Sequence, residues 1–164
     1  KILMQYTIRK AQKADAKQIF ELIVELAIFE KEPGEIEIDY HDIILSGFKK
    51  NPDFKCFVAE EKSNIIGIAL VYNRFSTWKG KILHLEDLIV SEKFRGNGIG
   101  SALFDTVVRY ASKIGVKRVS WEVLNWNNSA IRFYESKGAE IKKDWNVVHL
   151  NELGIKNYLL KISR

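Results

Sequence analysis

The stretch LIVSEKFRGNGIGSALFDTVVRY, Leu88–Tyr110, limits the fold of this chain more than any other. It opens as an apolar strand, breaks into charge and glycine, and resumes with apolar residues at helical spacing. Ile99, Leu103, Phe104, Val107, Val108, Ala111 and Ile114 fall on one face of a helix that Gly115 ends. A strand that turns directly into an amphipathic helix suits a chain that packs helices on a sheet, α/β or α+β. The dinucleotide pattern G-x-G-x-x-G needs glycine where Leu103 stands, and the glycine–lysine pair of a phosphate-binding P-loop is missing. What remains is Arg95-Gly96-Asn97-Gly98-Ile99-Gly100 at the start of a helix. Such a turn can aim several backbone N–H groups at one anion, with the helix dipole and Arg95 adding positive charge. A plain glycine-rich turn with no ligand meets the same local description.

Tyr6–Ala11 reads as a first strand. Asp15 is placed to cap a helix with Ile19, Leu22, Ile23, Leu26 and Ala27 on one stripe, closed by Pro33-Gly34. Asp39 starts a second helix through Ile43, Ile44 and Phe48, stopped by Asn51-Pro52. KCFVAEE and IIGIALVYNRF read as strands joined at Lys62–Asn64, and KILHLEDLIV as a strand buried on both faces, because its apolar residues do not alternate with polar ones. KRVSWEVL is a strand, NSAIRFYESKG a short helix and AEIKKDWNVVHL a closing strand or hairpin. No repeat or linker interrupts the order βααβββαβαβ, so a single domain over residues 4–164 with mixed strand pairing is expected.

Composition narrows the function classes. A chain of 164 residues, 46% hydrophobic, suits one packed domain. No apolar run approaches the roughly 20 residues of a bilayer span and no secretory pattern opens the sequence, so a cytoplasmic protein without membrane contact is expected. Met4 is the only methionine, and Lys1–Leu3 before it are set aside. The net charge of +5 is scattered among 21 acids with no arginine-rich arm, which argues against nucleic acid as partner and leaves a small anionic ligand. Cys56, in FKCFVAEE, reads as a small core residue, and His41, His84 and His149 have no ligand-like spacing, so no metal is expected.

Glu86-Asp87 interrupts an otherwise apolar central strand with adjacent carboxylates. Burying such charge is costly without partners. Pairing to a lysine or to backbone is one explanation. The other is function: Glu86 binds a cationic amine and helps remove its proton, directly or through water. A free alkylammonium has a pKa of about 10, so only about one molecule in a thousand is nucleophilic at pH 7, and deprotonation is part of any transfer to it.

The R-x-x-G-x-G turn resembles the acyl-CoA pyrophosphate loop of the GNAT acetyltransferases. ELAIFE (Glu25–Glu30), WKGKILHLEDLIV (Trp78–Val90), FRGNGIGSAL (Phe94–Leu103) and NNSAIRFYESKGA (Asn127–Ala139) resemble, in order and spacing, the diamine acetyltransferases of the spermidine/spermine and thialysine type. The resemblance runs from Tyr6 to about Lys161. It implies a GNAT-type α/β fold with a mixed, mostly antiparallel central sheet flanked by helices. It also implies acetyl-CoA as cosubstrate, a small-molecule amine as acceptor, and a homodimer. The backbone of Leu88, Ile89 and Val90 would hold the acetyl carbonyl and pantetheine, and Arg95, Gly96, Asn97, Gly98, Ile99 and Gly100 the pyrophosphate. Asn127 would contact the pantetheine arm, with Ser129 and Arg132 near the cofactor and Tyr134 facing its sulfur as proton donor to the departing thiolate. Phe29, Glu30, Glu86, Trp121 and Glu122 would line the amine side. Two departures fall there: Phe29 stands where the family often has an aromatic hydroxyl, and the segment between Gly138 and Trp145 is shortened. A core aromatic is the plain alternative for Tyr134, and a solvated helix end for Glu30. The expected reaction is direct transfer in a ternary complex, as Cys56 has no context for an acyl-enzyme. The alternatives are acetylation of a protein or peptide amine, and a non-catalytic acyl-CoA-binding module.

Overall fold

The computed structural model describes residues 4–163, in the order β1 (Thr7–Lys10), α1 (Ala16–Glu30), α2 (Tyr40–Gly47), β2 (Lys55–Glu61), β3 (Asn64–Ser76), β4 (Gly80–Val90), α3 (Ile99–Lys113), β5 (Val119–Ser120), α4 (Asn128–Ser136) and α5 (Glu152–Ile162). They form two compact units, which divide between Glu122 and Val123.

In the first unit one sheet runs β1-β2-β3-β4-β5, antiparallel except for the parallel pairing of β4 with β5. The expected mixed, mostly antiparallel sheet flanked by helices is therefore present. Strand alternation sends successive side chains to opposite faces. Cys56, Val58, Ile68, Leu70 and Ile89 meet Ile19 and Leu22 of α1 and Ile43 of α2. On the other face Phe57 packs edge-on against Tyr110 of α3, with ring centroids 5.5 Å apart. Gly67 admits α3 closely, since a Cβ there would stand 3.1 Å from Leu103. Cys56 is 3% exposed, and burial pushes its thiol far up, so it is the core residue its neighbours suggested.

Two details differ from the expected caps. Asp39 does cap α2, accepting from the His41 N–H at 2.6 Å. Asp15 precedes α1 but makes no side-chain cap. Its carboxylate instead accepts two bonds from the Arg9 guanidinium, at 2.7 and 2.9 Å, and one from the Gln12 N–H at 2.7 Å. A bidentate charged pair is stronger than a single cap bond, so the side chain turns to β1.

Where β3 pairs with β4, the register passes from Leu70↔Asp87 to Val71↔Leu85, so Glu86 is an extra residue with no partner. This bulge re-aims the strand at its two carboxylates. Only Leu83 and His84 pair with β5, which leaves Leu85–Val90 with no strand on that side among the described residues.

In the second unit, Asn127 caps α4 through the Ala130 N–H and Asn151 caps α5 through the Gly154 N–H. The closing strand expected at 139–150 is absent; α5 follows instead. Val147 and Val148 are 57% and 86% exposed. An extended segment whose β-branched residues find no partner strand cannot complete a ladder. No helix among the described residues is long and apolar enough to cross a membrane.

Candidate active site

Gly96 and Gly98 both have φ of 79°, a conformation that L side chains rarely adopt. A Cβ on either would meet no heavy atom within 4 Å, so the space beside this backbone is open. Gly98 is the N-cap of α3, whose first N–H groups have no acceptor within the helix. The loop is thus a cradle for a phosphate, with the helix dipole directed at it. Asn97 keeps it closed by donating to the carbonyls of Phe94 (3.1 Å) and Arg95 (3.2 Å). Arg95 folds back: its Nε donates to the Val90 carbonyl at 2.9 Å, and its guanidinium lies 5.3 Å from the Phe29 ring centroid and 3.9 Å from Glu25. Phe29 therefore braces the loop from α1. Ile99 is 1% exposed and commits its side chain to the core, leaving its N–H to the cradle. The edge of β4 at Leu88–Val90 has no partner strand among the described residues; Arg95 takes the Val90 carbonyl, and the rest of the edge suits an extended amide-bearing chain, which would add to the sheet as a strand does. Loop and edge together fit the pyrophosphate and pantetheine of a coenzyme A thioester.

The bulge of β4 gathers carboxylates. Asp87 is pushed up to about 7, by burial first and then by the charges of Glu86 and Glu30. Burial also raises Glu30, at the end of α1. Glu86 is half exposed. Burial, then the nearby Glu86 carboxylate, raise the Tyr72 phenol. His84, 6% exposed, stacks tilted on Tyr72 with ring centroids 5.0 Å apart. Its Nε2 is 3.5 Å from Glu86 Oε2 and its Nδ1 3.4 Å from Ser120 Oγ. Burial lowers the imidazole pKa against the pull of Glu86, with Arg74 lowering and Glu122 raising it further. Glu86 and Glu122 act on His84, and Glu86 and Glu30 on Asp87, while Trp121 packs edge-on against Phe104 of α3 at 5.5 Å. Sequence reasoning left Asp87 without a role and passed over Tyr72 and His84. The available signal was the spacing His84-x-Glu86-Asp87, polar residues crowded into a buried strand.

The second unit carries the remaining candidates. Asn127 spends its Oδ1 on the Ala130 N–H at 3.2 Å, and Ser129 and Arg132 are exposed. Tyr134 is 8% exposed, its ring edge-on to Phe133 at 5.3 Å.

The chain was compared with known proteins. The model of the Acetyltransferase (GNAT) family matches residues 16–139. Thialysine N-epsilon-acetyltransferase of Mus musculus is 36% identical over 81% of this chain and 83% of its own length. Spermidine/spermine N(1)-acetyltransferase-like protein 1 of Homo sapiens is 30% identical over 89% of this chain and 22% of its own. An integron cassette protein from the mobile metagenome of V. cholerae shares the fold, with a TM-score of 0.77 at 23% identity over 95% of this chain and 98% of that one. The glycine cradle, the open edge of β4 and these matches agree, and the chain belongs to the GNAT family of acetyl-CoA-dependent N-acetyltransferases.

Proposed function

We propose that this enzyme acetylates a primary amine of a small polyamine or lysine-like compound by direct transfer in a ternary complex. The carboxylates at the bulge of β4 carry the reading: Glu30, Glu86 and Asp87 converge where a cationic acceptor would be recognised. The relatives named for thialysine and for spermidine/spermine acetylation support the same class. Acetyl-CoA supplies the activated acetyl group as a thioester. The Gly96–Gly100 backbone binds its pyrophosphate, and the edge of β4 at Leu88–Val90 holds its amide-bearing arm. Glu86, half exposed, attracts the ammonium group, with Glu30 and Glu122 adding negative charge. Asp87, at about 7, accepts the proton that makes the amine nucleophilic at neutral pH. Tyr134 donates its phenolic proton to the departing thiolate, and Asn127, Ser129 and Arg132 keep the cofactor-side roles that the resemblance implies. Direct transfer is favoured because Cys56 is buried with its thiol pushed up.

Residues 4–164 act in this reading as one catalytic domain, which the span of the family match supports. A cytoplasmic homodimer belongs to it as well, and the exposed Leu153, Leu159, Leu160 and Ile162 of α5 are suited to a subunit contact. The test is turnover of acetyl-CoA against diamines, spermidine, spermine, thialysine, aminoglycosides and peptide N-termini. The highest kcat/KM is expected for a diamine, polyamine or thialysine. A clear preference for aminoglycoside or peptide amines would overturn the acceptor assignment.

A further inference from the structure

The bulge removes Glu86 from the β3–β4 ladder, so no residue of β3 pairs opposite it. Two polar side chains neighbour it: Tyr72, whose phenol its charge raises, and His84, whose Nε2 is 3.5 Å from Oε2. His84 belongs to the most enclosed part of the sheet and is anchored on its other side, Nδ1 lying 3.4 Å from Ser120 Oγ across the parallel pairing of β4 with β5.

We propose that His84 is a positioning residue for acceptor recognition: anchored by Ser120, it donates Nε2–H to Glu86 and holds that carboxylate toward the incoming amine. The inference rests on the role given to Glu86 above and goes beyond it, as neither charge nor family pattern assigns His84 a task. The chemistry of the partners determines the tautomer. A carboxylate only accepts, so Nε2 carries the proton; Nδ1 of a neutral ring then accepts, and the Ser120 hydroxyl donates to it. Burial disfavours the imidazolium and so preserves this arrangement at neutral pH. Tyr72, stacked tilted against the imidazole, limits its rotation. His84 does not touch the reacting atoms; it acts through Glu86.

Four variants test this with the best acceptor found by the turnover screen: two at His84, Glu86→Gln, and a double variant. His84→Phe keeps a planar ring against Tyr72 and deletes the donor. The amine KM should rise about tenfold, the low end for losing a donor to a charged group at this separation. The affinity for acetyl-CoA, measured by calorimetry, should not change. His84→Gln, whose amide can donate to Glu86 and accept from Ser120, should recover most of the loss. In a Glu86→Gln background, His84→Phe should add no further defect. Equal impairment of Phe and Gln variants, or an additive effect in the Glu86→Gln background, would overturn the inference in favour of a packing role. If Glu86→Gln itself kept wild-type kcat/KM, the reading of Glu86 would fail; if Glu86→Gln were impaired and His84→Phe were not, the His84 inference alone would fail. Should His84→Phe not fold, 15N NMR of the imidazole in the wild-type protein at pH 7 decides: a neutral ring protonated on Nε2 supports the inference, and the Nδ1–H tautomer overturns it.

Discussion

Asp87→Asn separates the electrostatics of the site from its chemistry, because the two respond in opposite directions. Burial, with Glu86 and Glu30 nearby, raises the Asp87 carboxyl from an ordinary 3.8 to about 7. Between those values the folded protein retains a proton that the unfolded chain has released, so stability falls as pH rises through this window. Below the ordinary value both states are protonated and the site costs nothing. Above about 7 the folded state carries the buried charge, and a shift of about three units corresponds to roughly 4 kcal/mol at most. Asparagine has nearly the same shape and no charge. The stability difference between Asp87→Asn and wild type should therefore be near zero at about pH 4, grow by about 1.4 kcal/mol per pH unit, and level off above about 7 in favour of the variant. Urea unfolding of both proteins at several pH values measures the difference curve directly. Turnover should fall at the same time, as the proton acceptor is gone, which is the usual opposition of stability and activity at a strained site. A flat difference curve, or a variant less stable than wild type at pH 8, would refute the reasoning.

Gly98→Val should weaken coenzyme A binding by tenfold or more in calorimetry, since valine tolerates φ of 79° poorly and its side chain would enter the open cradle. Tyr134→Phe preserves the ring and deletes the proposed donor, so single-turnover rates should fall by something like 10²–10⁴-fold at unchanged acetyl-CoA affinity; an unchanged rate would make this tyrosine a packed aromatic. Arg9→Met should destabilise the fold by about 1–3 kcal/mol in chemical denaturation, because it strips the buried Asp15, just before α1, of two of its hydrogen bonds. That loss should shrink in acid as Asp15, whose pKa the Arg9 bonds hold below its ordinary value, takes up a proton.

Apolar patterning and turn residues located α1, α2 and α3 and the three long strands β2, β3 and β4, because each buries apolar side chains whose local pattern is independent of the partner. The glycine turn before α3 was equally legible: Gly96 and Gly98 occupy positive φ, a local backbone requirement that the residue type itself records. The loss of the last expected strand has the opposite cause. Val147 and Val148 have the β-branched character of a strand, but pairing depends on a neighbour that local sequence does not describe. Glu86-Asp87 announced a costly pair of carboxylates in an apolar strand, without saying which of them would be burdened. The bulge decided that, leaving Glu86 half exposed beside His84 and Tyr72 while Asp87 is the more buried of the two. The Asp87 shift is a sum over burial and over charges brought from β4 and the end of α1. Sequence determined which chemistry was available to this protein, and only tertiary structure decided which carboxylate would hold its proton near neutral pH, since desolvation and through-space charge exist only once the strands and helices have met.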